Sequence, residues 1–497
     1  MGEIIALFPP NSAPQLWYTT IAQKYNLPGI FYLDLWPFGP GQMIITDPDA
    51  ANQVTVLRSF PKHIVNETFL TPLVGRKNIA AVNGPTWKLL HSMLTPAFAP
   101  SHVKNLVGMM ADETMLFCET LSRHAENDEV FSMRETAAKL IFDIIGKAVF
   151  SFPLHAQTTG SACLKDLQEI LKYDILGRES NNPLTKLRAN IKRKAAIKRA
   201  DYYVGSKIRE RYEYLKCENI SVTKKNALSI LDLILHDHLQ LHSNEKPCST
   251  SGPAPCSALD PEFMDLAVTN IKALLLGGHG TTTNTLCYTY LLLSTHPPVL
   301  AQLRAEHDAV FSRDRARTLA QLHAAPHTLN NLAYTTAVIK ETLRLFPIGF
   351  SLRAADPGVT VNYGRMEHPT CAGMIITPIP HTMHYDPTLF PDPERFDPSR
   401  FLRDGGVGRG SWRAFERGTR ACMGQDLAVD KLRVVLLLTV REFEFEFAGG
   451  SPNRTPRVRW TDLDLRLGDV VFQEQGLEAK PRGGVMMKVG RAEGREA

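Results

Sequence analysis

The chain has 497 residues, of which 44% are hydrophobic and 22% are charged. This balance is typical of a globular protein, and it excludes a disordered or repeat architecture. The formal net charge of +5 is too small to indicate nucleic-acid binding by itself. The eight cysteines are scattered without a CxxC spacing, which argues against a disulfide scaffold and against a zinc site.

The N-terminal residues predict no membrane anchor. The opening MGEIIALFPP is a short apolar run before two prolines, whereas a membrane span needs roughly 20 apolar residues. The run also lacks the basic start of a secretory signal peptide. We therefore expect a short leader over 1–16, without a clear membrane anchor, before the globular domain.

The first half of this domain is predicted to be mainly helical. Residues 17–57 indicate a small strand-and-helix unit, and helical periodicity dominates from about 86 to 240, as in LVGMMADETMLFCETL. Residues 242–258 are rich in Ser, Pro and Gly, which predicts a loop.

A strongly basic stretch covers residues 183–216, where eleven Lys or Arg residues outnumber three acidic ones. Such a stretch most commonly forms the solvated face of a long helix. A contact with a membrane surface is the second interpretation, because lysine and arginine attract anionic lipids. Nucleic-acid binding is not expected, because nothing else in the chain supports it.

A long central helix is predicted from Asp260 to His296. Asp260 is a good N-cap, Pro261 suits the first turn, and Pro297 and Pro298 stop the helix. A helix of about 35 residues is roughly 50 Å long, so it must cross the whole molecule.

The C-terminal third mixes predicted helices, at 328–346 and 424–441, with short strands near 357–362 and 455–490. No internal repeat is visible. The predicted fold class is therefore mainly α with small β-sheets, in the α+β class.

One cysteine, Cys422, lies in the unusual stretch FERGTRACMG. Arg417 and Arg420 flank it and an apolar helix follows, so positive charge and a helix N-terminus would stabilise its thiolate. Gly418 and Gly424 would let the backbone approach a flat ligand closely. The local chemistry favours a thiolate ligand to a large, planar, anionic cofactor. A buried structural thiol is the commoner fate of an isolated cysteine and stays the alternative.

The same stretch resembles a known family motif. It matches FxxGxRxCxG, the haem-binding loop of the cytochrome P-450 superfamily, whose members are haem-thiolate monooxygenases. Five further stretches occur in the order typical of that family: WKLLH at 87–91 (the WxxxR helix), GGHGTTTNT at 277–285 (the oxygen-binding stretch), ETLR at 341–344 (ExxR), PDPERFDPSRFL at 391–402 (PERF) and KPRGGVMMKV at 480–489 (the last strand pair of fungal members). The resemblance covers about residues 17–490 and implies a single large helical haem-thiolate monooxygenase domain there, with a long central helix. Residues 491–497 would then form a tail.

The resemblance implies a haem cofactor, with Cys422 as the axial thiolate ligand of its iron. His91 stands where the family has an arginine that pairs with a haem propionate, so its charge depends on pH. The residues expected to contact the porphyrin or its propionates are Arg420, Trp87, His91, Arg353 and Phe415.

Glu341 and Arg344 are spaced three apart, so they lie on one helix face. As isolated residues they would form a surface ion pair that contributes little. The resemblance implies that they are buried with Arg395 of the PERF segment, in a network that holds the fold around the haem.

Thr281 of the central helix is the expected catalytic residue, which hydrogen-bonds dioxygen and delivers protons to it. The family has an acid just before this threonine, but Gly280 stands there in this chain. We therefore expect water or substrate hydroxyl groups to supply the protons. A core threonine that bonds back to its own helix is the alternative for Thr281.

The expected function is oxidation of a lipophilic small molecule by O2, in fungal secondary-metabolite biosynthesis. The chain shows no nicotinamide or flavin motif, so electrons would come from NADPH through a separate flavoprotein reductase. The resemblance implies the cytosolic face of the endoplasmic reticulum membrane. Because no N-terminal anchor is seen, a truncated N-terminus and a peripheral or cytoplasmic protein both stay open. The predicted reductase-docking surface consists of Arg413, Arg417, Lys431 and Arg433.

Two alternatives stay open for the activity. The change at Gly280 is compatible with a family member that rearranges, dehydrates or desaturates its substrate without net oxygen insertion. A non-catalytic haem-binding protein is the alternative from another class. The segments expected to line a substrate pocket are 60–82, 165–205, 270–281, 348–353 and 472–478.

Overall fold

The structure is a computed structural model that describes residues 2–37, 39–217, 229–242, 259–356, 358–449 and 464–492. Nearly all of the predicted loop at 242–258, part of the predicted strand region at 455–490 and most of the predicted tail lie outside these residues. The chain divides into two compact units. Unit 1 comprises 1–63, 104–141 and 280–497, and unit 2 comprises 64–103 and 142–279. The single domain over 17–490 stays a prediction.

The described residues of unit 2 form helices and connecting loops, and none of them forms a strand. The α-helices that lie wholly within it are α4 (Ile64–Val74), α5 (Gly84–Leu94), α9 (Ala162–Glu179), α10 (Pro183–Cys217) and α11 (Ile230–His242). The basic stretch at 183–216 is thus one continuous helix, α10. Three of its arginines form ion pairs with acidic residues of α9 and α11: Arg193 with Asp174, Arg199 with Asp166, and Arg211 with Asp232.

Unit 1 holds most of the remaining helices. They are α1 (Gly2–Ile5), α2 (Pro14–Lys24), α3 (Pro48–Asn52), α7 (Val107–Glu126), α13 (Pro297–Val310), α14 (Arg315–Ala324), α15 (Ala333–Leu345), α16 (Pro380–His384), α17 (Gln425–Thr439) and α18 (Asp464–Leu467). A π-helix follows α3 at Gln53–Leu57, and a 3-10 helix covers Pro398–Phe401. A unit boundary falls within α6 (Pro100–Asn105), α8 (Met133–Phe150) and α12 (Pro261–Thr295).

The described strands all belong to unit 1 and form four small sheets. They are β1 (Ile30–Leu33), β2 (Gln42–Ile45), β3 (Phe131–Ser132), β4 (Arg353–Ala354), β5 (Thr360–Tyr363), β6 (Met366–Pro369), β7 (Ile375–Pro378), β8 (Phe443–Phe447), β9 (Glu474–Gln475), β10 (Ala479–Lys480) and β11 (Met486–Arg491). The orders are β1-β2-β7-β4, β3-β11-β8, β5-β6 and β10-β9. Only the β2–β7 pair is parallel among them.

Helix α12 is the predicted central helix, and its start and stop signals act as expected. The Phe263 backbone N–H donates to Asp260 Oδ2 at 3.0 Å, which satisfies one of the free amides at the helix start. The helix ends at Thr295, just before Pro297 and Pro298. Helices α15 and α17 lie within the predicted ranges 328–346 and 424–441.

The mainly helical fold with small sheets confirms the predicted fold class. Two elements of unit 1 place the residues of interest. Strand β4 carries Arg353, and helix α17 follows the loop that carries Cys422. Within the described residues, no helix is both long enough and apolar enough to span a bilayer.

Candidate functional site

Cys422 lies in a loop that is closed by its own backbone. The Cys422 N–H donates to the Phe415 carbonyl oxygen at 2.9 Å, and helix α17 begins at Gln425. The Phe415 ring packs edge-on against Trp412, with centroids 5.9 Å apart. The loop therefore has a fixed shape, with its cysteine just before a helix N-terminus.

Gly418 is required by this loop for two reasons. Its φ of +83° lies in the left-handed region that side chains rarely adopt. A Cβ at this position would also overlap the Thr55 carbonyl oxygen in the π-helix. The absence of a side chain at Gly418 thus lets the cysteine loop lie directly against residues 53–57.

The Cys422 side chain is exposed, whereas Cys118, Cys163 and Cys287 are buried. Desolvation by the surrounding protein nevertheless raises the pKa of the Cys422 thiol, while the Gly424 backbone N–H and the charge of Lys431 partly oppose this shift. The protein alone thus does not favour the thiolate. A bound metal cation would favour it, because coordination deprotonates a thiol.

Three cationic side chains of unit 1 form a second feature, which we name the Arg353 cluster: Lys62, Arg353 and Arg420. Lys62 and Arg353 are directly opposite each other in an antiparallel bridge, flanked by the bonds His63 N–H to Leu352 O (3.2 Å) and Ala354 N–H to Pro61 O (2.8 Å). Opposite residues in such a bridge project their side chains to the same face. The two cations are therefore neighbours.

The positive charges of the Arg353 cluster repel one another. Burial and the neighbouring Arg353 and Arg420 lower the pKa of Lys62 to about 7. Burial and Arg353 lower the pKa of Arg420 to about 10. Glu416 faces the cluster and partly offsets it, but its Oε1 accepts a hydrogen bond from Arg413. An anionic ligand would remove this repulsion.

The hydrogen bonds of Arg353 also indicate that the Arg353 cluster is suited to an anionic ligand. Arg353 is fully buried, and its Nη1 donates to the Phe60 carbonyl oxygen at 3.0 Å. Its Nε and Nη2 have no partner in the structure. A buried guanidinium group with free donors is unfavourable unless a ligand accepts from it. A fork of free donors suits a carboxylate.

These observations fit haem, which combines an iron that accepts a thiolate with two carboxylates that need cations. Cys422 would supply the thiolate, and the Arg353 cluster would bind a propionate. Sequence reasoning found Arg353 and Arg420 but missed Lys62. Lys62 lies in the stretch RSFPKHIV, which carries no motif, and only the bridge to β4 reveals its place.

Glu341 and Arg344 are both fully buried on helix α15. Arg344 donates to both carboxylate oxygens of Glu341, from Nε to Oε2 at 2.7 Å and from Nη2 to Oε1 at 2.8 Å. Its remaining N–H groups reach the backbone carbonyl oxygens of His384 (2.8 Å), Pro393 (2.7 Å) and Arg395 (3.1 Å). Glu341 and Arg344 thus form an internal ion pair, which excludes the alternative of a surface ion pair.

The prediction that the Arg395 side chain completes this network is wrong, because Arg400 does so. Arg400 is buried and donates from Nε to Glu341 Oε1 at 3.0 Å. The Arg395 side chain is exposed, and the residue contributes its backbone carbonyl oxygen. The 3-10 helix Pro398–Phe401 turns Arg400 inward. We name Glu341, Arg344 and Arg400 the Glu341 cluster.

The Glu341 cluster is connected to the cysteine loop through His384. The His384 Nδ1 is 3.1 Å from the Arg344 carbonyl oxygen, and its Nε2 accepts from the Arg413 backbone N–H at 3.1 Å. Burial and the nearby Arg344 charge lower the pKa of His384 well below its usual range, so the ring is neutral. A second connection runs from Trp412 Nε1 to the Lys340 carbonyl oxygen at 3.1 Å.

The family model for cytochrome P-450 matches residues 13–463 of this chain. The chain belongs to the cytochrome P-450 family. It is 33% identical to cytochrome P-450 monooxygenase acrF of Aspergillus aculeatus, over 97% of this chain and 98% of that protein. It is 29% identical to cytochrome P-450 monooxygenase polC of Polytolypa hystricis, over 90% of this chain and 79% of that one.

Solved structures show the same fold. The haem domain of cytochrome P-450DA superposes with a TM-score of 0.74 at 20% identity, and the match covers 97% of this chain and 93% of that domain. The protein is thus a cytochrome P-450 monooxygenase, an oxidoreductase, and its family implies a haem with a thiolate ligand.

Trp87 and His91 lie one turn apart on helix α5 in unit 2. Their ring centroids are 4.7 Å apart, and Thr95 Oγ1 is 3.2 Å from His91 Nδ1. The structure thus places the two predicted propionate partners side by side. Their contact with a haem stays a prediction.

Thr281 lies on helix α12 at the start of the third segment of unit 1. Its carbonyl oxygen accepts from Thr285 Oγ1 at 2.9 Å, one turn further along the helix. Gly280, just before it, is buried. The proton-delivery role of Thr281 stays a prediction.

The predicted reductase-docking surface is wrong in two of its four residues. Arg413 and Lys431 are each only 1% exposed. Arg413 bonds to Asn52, Thr55 and Glu416, and burial lowers the pKa of Lys431 to about 7. Arg433 donates to Thr336 and Asp430. The buried Arg413 and Lys431 therefore cannot contact a docking partner, and a role of Arg417 and Arg433 stays a prediction.

Proposed function

We propose that this cytochrome P-450 monooxygenase inserts oxygen into a lipophilic small molecule, at a haem held between Cys422 and the Arg353 cluster. The observation that carries the proposal is the pair of free donors on the buried Arg353, together with the fixed cysteine loop in the same unit. A thiol alone is compatible with many roles. A thiol and a surplus of cations together suit an iron porphyrin with carboxylates.

When bound, haem would supply the activation of dioxygen and the oxidation of a C–H bond. The protein would hold and orient it. Cys422 Sγ would coordinate the iron. Arg353 Nε and Nη2 would donate hydrogen bonds to a propionate, and Phe415 would pack in the cysteine loop. Trp87 and His91 of α5 would bind propionates as well. Thr281 Oγ1 would pass protons to the reacting oxygen.

The electrons would come from NADPH through a separate flavoprotein reductase. Relatives named as cytochrome P-450 monooxygenases occur in Aspergillus, Polytolypa and Penicillium, which supports a place in fungal secondary metabolism. Because Gly280 replaces the acid that the family has at this position, a second candidate reaction is a rearrangement, dehydration or desaturation without net oxygen insertion.

We also infer that helix α10 contacts the surface of a membrane containing anionic lipids. Leu184, Leu187 and Ile191 are 65%, 56% and 58% exposed, and their spacing places them on one helix face. Exposed apolar residues beside exposed cations suit the interface of such a membrane. The exposed cations on the same helical segment are Lys186, Arg188, Lys192 and Lys194.

Flotation with lipid vesicles tests this contact. We expect binding to vesicles containing phosphatidylserine, and we expect Leu187→Glu to weaken it while Leu402→Glu, an exposed leucine of unit 1, leaves it unchanged. Equal binding of both variants and the wild type would contradict the inference.

Isotope labelling tests the proposed function. The purified holoenzyme, with a microsomal reductase and NADPH, is supplied with a lipophilic extract of the producing organism under heavy-isotope dioxygen. We expect one labelled oxygen atom in a new product, and no such product from Cys422→Ser. A consumed substrate whose product carries no label would favour the second candidate.

A further inference from the structure

The space beside Gly280 is filled by a side chain from another part of the chain. A Cβ built on Gly280 would overlap Oε1 of Glu478 and would lie 2.8 Å from Glu478 Cδ and 3.3 Å from Oε2. Position 280 therefore cannot carry a side chain while Glu478 keeps this conformation. The carboxylate of Glu478 lies where a side chain at position 280 would begin.

Glu478 is held by the hairpin of β9 and β10, at the last turn residue before β10. The Gly476 N–H donates to the Glu478 carbonyl oxygen at 3.0 Å, and the Ala479 N–H donates to the Ile348 carbonyl oxygen at 2.9 Å. The backbone on both sides of the glutamate is thus fixed. Its approach to α12 is a feature of the fold.

Helix α12 provides a dedicated partner for this carboxylate. Asn284, fully buried and one turn after Gly280, donates from Nδ2 to Glu478 Oε1 at 3.3 Å and to the Ala479 carbonyl oxygen at 3.2 Å. Arg134 Nε donates to Asn284 Oδ1 at 3.3 Å, which fixes the orientation of the amide. The carboxylate is therefore tied to the helix at positions 280 and 284.

The surroundings adjust the acidity of Glu478. Burial of the carboxylate raises the pKa of Glu478, and the charges of Arg134 and Lys480 and the Asn284 hydrogen bond partly oppose this shift. A carboxyl group whose pKa is raised toward neutrality is a better proton donor at physiological pH. The residue as a whole keeps intermediate exposure, so solvent can return a proton to it.

We propose that Glu478 supplies, from the β9–β10 hairpin, the carboxyl group that the central helix lacks at position 280, and that it gives protons to Thr281. This inference rests on the proposed monooxygenase function. Insertion of one oxygen atom into a C–H bond, with release of the other as water, consumes two electrons from the reductase and two protons. Each proton leaves the Glu478 carboxyl group, passes through the Thr281 hydroxyl group to the departing oxygen, and is replaced from solvent.

Glu478 acts through Thr281, so it is a positioning and proton-supplying residue. A merely structural role would be to accept the Asn284 hydrogen bond and to fill the space beside Gly280. Glu478→Gln separates the two roles, because the amide keeps an acceptor for Asn284 but has no acidic proton. Glu444→Gln is the matched control, because Glu444 is an exposed glutamate of strand β8 in the same unit that pairs with Arg304 at 3.3 Å.

The test measures product formed and NADPH consumed by the reductase-supported holoenzyme, with the substrate found by isotope labelling. We expect Glu478→Gln to lower product formation about 100-fold, within the range for loss of a general acid. NADPH consumption continues and yields peroxide. Glu444→Gln is expected to match the wild type. The double variant Gly280→Asp with Glu478→Ala returns an acid to the helix and should recover activity relative to Glu478→Ala.

A second readout does not require turnover. The infrared C=O stretching band of a protonated carboxyl group is followed against pH in the resting holoenzyme. We expect a band that disappears in Glu478→Gln and persists above the usual titration range of glutamate. Absence of this band in the wild type overturns the inference, whichever reaction the enzyme performs.

Product formation by Glu478→Gln within about twofold of the wild type would also overturn it, because loss of a general acid has a larger effect. Failure of the proposed function gives a different pattern. The wild type then makes no labelled product, while the infrared band still reports whether Glu478 holds a proton.

Discussion

The Glu341 cluster and the Arg353 cluster both bury arginine in unit 1, but only the first satisfies its donors within the protein. Every N–H group of Arg344 has an acceptor, and Arg400 adds a second cation to the same carboxylate. Arg353 keeps two nitrogens without a partner and faces two further cations. The difference indicates that the first cluster stabilises the fold and that the second is built for an anionic ligand.

Glu341→Gln should give the largest loss of stability. The substitution leaves Arg344 and Arg400 buried without their counterion, which costs about 3–5 kcal/mol. The urea midpoint of the holoenzyme, followed by tryptophan fluorescence, measures this loss. The control Glu262→Gln removes an ion pair with Lys77 whose side chains are 78% and 52% exposed, and should leave the urea midpoint nearly unchanged because solvent screens the pair. Equal losses for both variants would contradict the internal role of Glu341.

Arg400→Gln and Arg395→Gln test the corrected network. Loss of the buried Arg400 should cost about 3 kcal/mol, because it removes one of the two cations on Glu341. Loss of the exposed Arg395 side chain should cost less than about 0.5 kcal/mol. The same urea measurement distinguishes them, and the reverse order would restore Arg395 to the network.

Arg353→Met should separate stability from cofactor binding. Its unfolding free energy in the absence of haem should change little, because the guanidinium group has only one hydrogen bond within the protein. Haem affinity should fall about 10- to 100-fold, as expected for the loss of hydrogen bonds between charged groups. Transfer of haem to an excess of an acceptor protein measures this affinity. A large loss of stability with unchanged haem affinity would place Arg353 with the Glu341 cluster.

Lys62 should have a smaller effect on stability, and this effect should depend on pH. Its pKa of about 7 is depressed from 10.5 in the haem-free fold, so above about pH 7 the folded protein binds fewer protons than the unfolded chain. The free energy of unfolding of the haem-free protein should therefore rise with pH between about 7 and 10.5. This gain in stability is lost progressively as the pH falls from 10.5, and the loss is complete once the pH has fallen through about 7. Lys62→Met should remove this slope from urea unfolding curves recorded across that range, and an unchanged slope would exclude Lys62 as its source.

Sequence reasoning succeeded where the chemistry is local. The cysteine loop, the Asp260 cap with its terminating prolines, and the Glu341–Arg344 spacing each lie within a few neighbouring residues, so a short stretch contains the whole signal. The fold class followed from periodicity in the same way.

Sequence reasoning failed where a residue's partner comes from a distant part of the chain. PDPERFDPSRFL contains two arginines, and only the 3-10 turn decides that Arg400 points inward. Lys62 joins Arg353 through a single bridge, and Glu478 reaches α12 although it is 194 residues from Asn284. No spacing rule connects such residues, because their proximity is set by the tertiary fold.

Binding of the haem carboxylates by the Arg353 cluster is tested by reconstituting the haem-free protein with haem and with haem whose two propionates are methyl esters. We predict that the wild type binds the ester about 10- to 100-fold more weakly, and that Arg353→Met reduces this difference, since both changes remove the same charge-assisted hydrogen bonds. Equal affinity of the wild type for the two haems would show that the Arg353 cluster does not bind the haem carboxylates.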